Sequence, residues 1–407
     1  MLKKIHVEDL RLGMHIHEFC GSWMEHPFWR ENFILDNGDD VRRIAESGIA
    51  EVWIDVAKGA DVLASTTVVS VEEAEVTVSE ALSAAAERDE APIQVSMAEE
   101  VKRAARVCAR SKQAVVSMFQ EARMGKAIDA EAAGELVEEI SSSVLRNPGA
   151  LISLARLKDA DDYTYMHSVA VCALMVALSG QLGLDKQETR EAGMAGLLHD
   201  LGKALSPPEV LNKPGKLTDA EFAIMKRHPV DGHRMLAEAG QVGPVTLDVC
   251  LHHHEKMDGT GYPDRLPGDQ ITVFARMGAV CDVYDAITSN RPYKAGWDPA
   301  ESIRKMAEWS KGHFDERIFQ AFVRSVGIYP IGSFVRLESG RLGVVVEQTE
   351  KSLLTPRVKV FFSARAQTHI TPEIVDLARA GTMDKIVSRE DPAKWGIQDA
   401  DRYWVAA

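Results

Sequence analysis

The chain has 407 residues, 45% hydrophobic and 27% charged, which is the composition of a globular protein with more than one domain. Its formal charge of −14 speaks against binding a nucleic-acid polymer, while a small anionic ligand beside a metal centre is compatible with it. There is no run of about 18 apolar residues to span a membrane, residues 1–10 lack the apolar core of a secretory signal, and the five cysteines, without a CxxC pair, read as reduced core residues of a cytoplasmic protein.

In chain order, residues 1–65 carry the mixed signals of a small α/β module. Phe33-Ile34-Leu35 runs into the turn signal Asp36-Asn37-Gly38, Val52-Trp53-Ile54 is a second short apolar run, and residues 39–49 between them fit a short helix. The alternation His15-Ile16-His17 reads as one face of a strand in preference to a metal site shared with His26. Residues 66–96 form an acidic, partly helical linker, in which Glu72, Glu73, Glu75, Glu80, Glu87, Asp89 and Glu90 surround the lone basic Arg88. Residues 97–328 are helical nearly throughout. Capping-box spacings start helices at Asp185/Glu188, Thr218/Glu221 and Asp298/Glu301, and Gly180, Gly202 and Gly327 stand where helices should stop. Residues 329–407 turn strand-like, with a hairpin around Ser339-Gly340 and a third strand from Arg357. The expected fold is mainly α: a helical bundle with an N-terminal α/β module and a short C-terminal β appendage.

The chemistry concentrates between His167 and Lys294. Eight of the 13 histidines fall between residues 167 and 313, most of them in apolar helical surroundings such as Leu197-Leu198-His199-Asp200-Leu201. A buried Asp there needs a compensating cation, and imidazole with carboxylate suits first-row divalent metals. Two such ions can clamp a phosphoryl group between them.

His199-Asp200-Leu201-Gly202-Lys203 resembles the doublet of the HD hydrolase superfamily, and the run from His253 through Asp258 and Gly261 to Tyr262-Pro263 is similar to the HHExxDGxGYP signature of its HD-GYP subfamily. His228-Pro229-Val230-Asp231-Gly232, Asp282-Val283-Tyr284-Asp285-Ala286 and Arg291-Pro292-Tyr293-Lys294 resemble that subfamily's remaining elements, in its order, over roughly residues 140–326. The opening Leu10-Arg-Leu-Gly-Met-His-Ile is more weakly similar to a domain that often precedes HD-GYP modules.

The resemblance implies an HD-type bundle and hydrolysis of cyclic di-GMP to pGpG, with further cleavage to GMP open, by attack of a metal-bridging hydroxide. It implies that His167, His199, Asp200 and Asp282 hold one ion and that Asp200 bridges to a second held by His228, His253 and His254, with His252 left out. It gives Lys203 a catalytic role and makes Arg291, Lys294 and Tyr262 substrate contacts. Some relatives carry a glutamate one turn before the first His. Tyr163 occupies that position here and Asp162 lies about 100° round the helix, so two ions, iron or manganese, are expected. The implied partners are cyclic di-GMP and GGDEF-domain proteins, with a homodimer open. Another HD phosphohydrolase activity and a non-hydrolysing receptor are the rival readings.

Overall fold

The structure, a computed structural model, describes residues 1–21, 28, 32–63, 66–85, 95–157, 163–213, 215, 217–290, 296–349 and 352–405. Strands β1 (Leu2–His6), β2 (His15–Cys20), β3 (Phe33–Ile34) and β4 (Glu51–Asp55) pair antiparallel in the order β1-β4-β2-β3. Ile5, Ile16, Phe19, Leu35, Val52 and Ile54 bury together with Ile44 of helix α1 (Gly38–Glu46). The turn signal before this helix acts as a cap, because the Asn37 side chain accepts from Asp39 N at 2.9 Å. The helix stops at Glu46 instead of reaching Ile49, because Gly48 turns the chain at φ +81°.

The acidic segment is more ordered than its charge indicates. Helix α2 (Val71–Ala85) buries Ala74, Val78 and Leu82, spaced four apart on one stripe, while its glutamates face solvent. Glu87, Arg88, Asp89 and Glu90 lie outside the described residues.

The bundle comprises α3 (Met97–Arg123), α4 (Ala130–Arg146), α5 (Pro148–Arg156), α6 (Tyr163–Leu182), α7 (Lys186–Leu198), the short α8 (Pro208–Leu211) and α9 (Asp219–Met225), α10 (His228–Ala239), α11 (Pro244–His252), α12 (Val273–Thr288), α13 (Pro299–His313) and α14 (Glu316–Val326). Helix α6 packs against α3, α4, α5, α7, α12 and α14. It is apolar all round, and over Thr164–Leu182 it is long and apolar enough to cross a membrane, although no unbroken apolar run marks it in the sequence. With 72% of that stretch buried by its neighbours, it is the core helix of the bundle.

The capping boxes form at Asp185/Glu188 and Thr218/Glu221. Asp298 behaves differently. Its Oδ1 accepts from Ala300 N and Glu301 N, and its Oδ2 accepts from Phe334 N at 3.0 Å, so one carboxylate caps α13 and pins the C-terminal sheet. Gly327 ends α14 at φ +91°. Gly180 does not end a helix: it lies inside α6, and the chain turns at Gly183 with φ +70°. Gly202 sits in a 3-10 turn, Leu201–Leu205, directly after α7.

The C-terminal strands β5 (Phe334–Leu337), β6 (Arg341–Glu347), β7 (Arg357–Ser363), β8 (Thr368–Asp376) and β9 (Ile386–Arg389) form an antiparallel sheet in the order β8-β7-β6-β5-β9. Alternate residues serve two cores: Phe334, Leu342 and Val344 join the bundle, together with Trp404 of the last helix α15 (Arg402–Val405), while Val335, Leu337 and Val345 pack on the other face. The result is mainly α with two small sheets, as the sequence indicates.

Phe322 is fully buried where α14 meets α12, its ring 5.1 Å from that of Tyr284. Phe322→Ala should remove about 3–5 kcal/mol of stability, measured as a lowered urea midpoint of the helical signal.

Candidate metal centre

Helix ends bring the ionisable side chains of the site together. His199 is the C-terminal cap of α7 and Asp200 follows in a bridge conformation (φ −99°, ψ 8°). His228 is the first residue of α10, and His253 caps α11 and is followed by His254. His167 on α6 and Asp282 on α12 come from inside helices that pack against each other. Glycines permit this closeness: a Cβ on Gly202 would lie 1.9 Å from the His228 carbonyl oxygen, and one on Gly232 would lie 2.9 Å from Gly202 N. The glycines of the two motifs thus pack against one another so that their histidines can meet.

His167, His199, Asp200, His228, His253 and Asp282 are each at most 3% exposed. The ligating atoms form three overlapping groups, each with its atoms within 4.8 Å of one another: His228, His253 and His254; His167, His199 and Asp282; and His199, Asp200 and His253. His252 is in none of them. Its ring pairs with Asp248 at 2.8 Å and Asp264 at 3.1 Å, outside the cluster.

The hydrogen bonds settle where the imidazole protons sit. Nδ1 of His199 donates to Gly196 O (2.8 Å), that of His228 to Met225 O (2.7 Å) and that of His253 to Val249 O (3.0 Å). A carbonyl can only accept, so each Nδ1 carries the proton and each Nε2 presents a lone pair. His228 Nε2 lies 3.3 Å from His253 Nε2, so two of these lone pairs face each other, and His199 Nε2 lies 3.3 Å from His167 Nε2, whose ring bridges Asp285 through Nδ1 and Asp282 through Nε2. Carboxylates complete the set, with Asp200 Oδ1 3.2 Å from His228 Nε2 and Asp282 Oδ1 2.9 Å from His167 Nε2. Asp200 Oδ1 and Asp282 Oδ2 are buried without a hydrogen-bond partner. Converging lone pairs and bare carboxylate oxygens repel one another unless a cation lies between them, so the donor set fits divalent metal.

The electrostatics agree. Burial opposes ionisation of Asp200, but Lys203 and the surrounding histidines hold it well below the usual carboxylate range. Burial likewise opposes Asp282, and its hydrogen bond with His167 keeps it ionised. Burial, with His199 and His228 close by, pushes His253 down to about 3, and burial also lowers His254 and His199. Both carboxylates are therefore charged and these rings neutral, the states in which they ligate. His167 goes the other way: burial lowers it, but hydrogen bonds to Asp282 and Asp285 more than offset that.

Of the residues singled out from sequence, Lys203 is in place, its Nζ paired with Asp200 Oδ2. The ring of Tyr262 stacks on His254, with centroids 4.7 Å apart, and Lys226 Nζ lies 5.0 Å from its centroid. Arg291 and Lys294 lie outside the described residues, as do Asp162 and His26. Two further residues matter that sequence reasoning passed over. Asp285 Oδ2 accepts from His167 Nδ1 at 2.6 Å, one helical turn after Asp282. Glu255, 2% exposed, accepts from Asp264 N, Arg265 N and Leu266 N, so it ties the glycine-containing loop to the histidine run.

An HD domain family model matches residues 146–318, and a domain of unknown function, DUF3391, matches residues 2–133. A cyclic di-GMP phosphodiesterase of Pseudomonas aeruginosa is 57% identical over 405 residues, 99% of this chain and 96% of that protein. The chain belongs to the HD-GYP phosphodiesterase family. Two further relatives match over less than half of this chain. A cyclic di-GMP phosphodiesterase response regulator of Xanthomonas campestris is 41% identical over 42% of this chain and 47% of its own length. A 3′3′-cGAMP-specific phosphodiesterase of Vibrio cholerae is 35% identical over 46% and 42%.

Asp285→Asn should keep the fold and weaken metal retention about 10–100-fold, because it weakens the acceptor that orients His167. Titration with a competing chelator measures this, and unchanged retention would remove Asp285 from the centre.

Proposed function

We propose that this phosphodiesterase hydrolyses cyclic di-GMP to pGpG at a centre of two divalent ions, iron or manganese. The observation that carries the reading is the two pairs of buried imidazole Nε2 atoms, each 3.3 Å apart, on the two oxygens of the Asp200 carboxylate. His167, His199 and Asp282 would hold one ion, His228, His253 and His254 the other, and Asp200 would bridge them. When bound, such a pair supplies Lewis-acid charge against the phosphodiester and a water of lowered pKa as the nucleophile.

The chain's own residues do the rest. The Lys203 ammonium, held at Asp200, stands where a non-bridging phosphate oxygen gathers charge. Tyr262, half-buried between His254 and Lys226, is assigned to contact a guanine. Arg291 and Lys294 are assigned to the phosphate or the guanine edge, where a guanidinium grips two acceptors at once. As the water oxygen bonds to phosphorus, the bond to the 3′-oxygen breaks and that oxygen takes a proton. The charge of −14 leaves substrate attraction to the centre itself. We place the activity in the cytoplasm, with cyclase-domain proteins and a second copy of the chain as the partners to test.

The test is turnover of cyclic di-GMP beside 3′3′-cGAMP by anaerobically metal-loaded protein, with products separated by chromatography. The reading expects pGpG from cyclic di-GMP and none from Asp200→Ala. Faster cleavage of the mixed dinucleotide would reassign the substrate, and tight binding without cleavage would leave a receptor. Lys203→Met should lower kcat about 100-fold with metal content unchanged.

A further inference from the structure

The loop from Glu255 to Leu266 joins the histidine run to Tyr262, and the N-terminal module reaches it by two routes. Directly, Lys256, 7% exposed, donates from Nζ to Gly48 O at 3.1 Å. Gly48 stands so close that a Cβ there would come within 3.6 Å of Thr260 O, and its φ of +81° keeps other residues out.

Indirectly, Trp53 of β4 donates its indole N–H to Glu308 of α13 at 2.6 Å, both side chains being buried. Lys305, one turn before Glu308, pairs with Glu18 of β2 at 2.6 Å. Helix α13 ends at Gly312 and His313, whose carbonyls accept from Asp258 N (2.8 Å) and Met257 N (3.3 Å) of the same loop. Gly312 turns there at φ +85°, with the Asp258 carboxylate 3.2 Å from where a Cβ would stand. Both routes therefore end in the segment that begins beside His254 and carries Tyr262.

We propose that the N-terminal module is a positioning element of the catalytic site: its seat on Lys256 and Glu308 holds the 255–266 loop in the form that accepts the dinucleotide. Loosening of that seat then weakens substrate binding before it touches His199, His228 and His253, whose rings are anchored by backbone carbonyls of the bundle. A buried charged group that loses one hydrogen-bond partner favours local rearrangement, and a loop so released is the kind of element that gates substrate entry. The proposal rests on the cyclic di-GMP reading for its kinetic readout and not for its structural one.

The experiment uses the full, metal-loaded chain with Trp53→Phe, Lys256→Met and Lys256→Arg. Lys3→Ala serves as a control, because it removes an ion pair internal to the module, Lys3 with Asp61 at 2.7 Å. KM for cyclic di-GMP should rise about 5–10-fold in Trp53→Phe and Lys256→Met with kcat retained. Lys256→Arg should recover most of the loss, and Lys3→Ala should match the unaltered protein. Amide exchange of residues 257–262 should quicken in the first two variants only. Unaltered KM and exchange in both would overturn the proposal, as would an equal rise in Lys3→Ala, which would reduce the effect to general loosening. If the unaltered protein does not cleave cyclic di-GMP, the assigned substrate fails while the exchange comparison still decides this inference.

Discussion

A neutral imidazole carries one proton, and in this protein the backbone has claimed it. The carbonyls of Gly196, Met225 and Val249 accept hydrogen bonds from Nδ1–H of His199, His228 and His253, and the Asp285 carboxylate accepts one from His167 Nδ1. The Nε2 atoms of His199, His228 and His253 are left as lone pairs, and they converge with His167 Nε2 around Asp200. Burying such an arrangement without cations would leave carboxylate oxygens and lone pairs facing across hydrogen-bond distances, a cost of several kcal/mol for each unpaired buried polar group. The metal is thus written into the folded chain as the component that makes its interior electrostatically possible, and folding and metal binding are linked.

The rest of the fold follows from that demand. His199, His228 and His253 all sit at or beside a helix end, where backbone carbonyls are within reach to hold the far side of each ring. Helix α6 must carry His167 into the centre of the bundle, so it is apolar on every side. The contact between Gly202 and Gly232 brings the turn after α7 against the start of α10 with no room for a side chain. Outside this ring of helices the C-terminal sheet completes the core, and Asp298 joins it to the bundle by capping a helix and accepting from a strand at once.

Much of this was legible in the sequence because the signals are local. The His-Asp doublet, the HHExxDGxGYP run and the capping boxes at Asp185 and Thr218 are each read within a few residues. What escaped depends on partners far along the chain. Nothing near Glu255 says that it gathers three amide groups of the following loop, and Asp285 looks like a motif letter until His167 is seen beside it. The glutamates of α2 hid a three-residue apolar stripe, so the partly helical character of this segment was legible but its packing was not. Gly180 misled for the opposite reason: a Cβ there would meet nothing within 4 Å, and the helix simply continues past it. Strand β8 is exposed along most of its length and shows no apolar alternation, and β9 has only four residues, too few to show one.

We propose two ions at the metal centre, one on either side of the Asp200 carboxylate. Anomalous diffraction from crystals of the anaerobically iron- or manganese-loaded protein tests it most directly. Two peaks are expected, one bounded by His167, His199 and Asp282 and the other by His228, His253 and His254. A single peak, or a metal held away from Asp200, would contradict it.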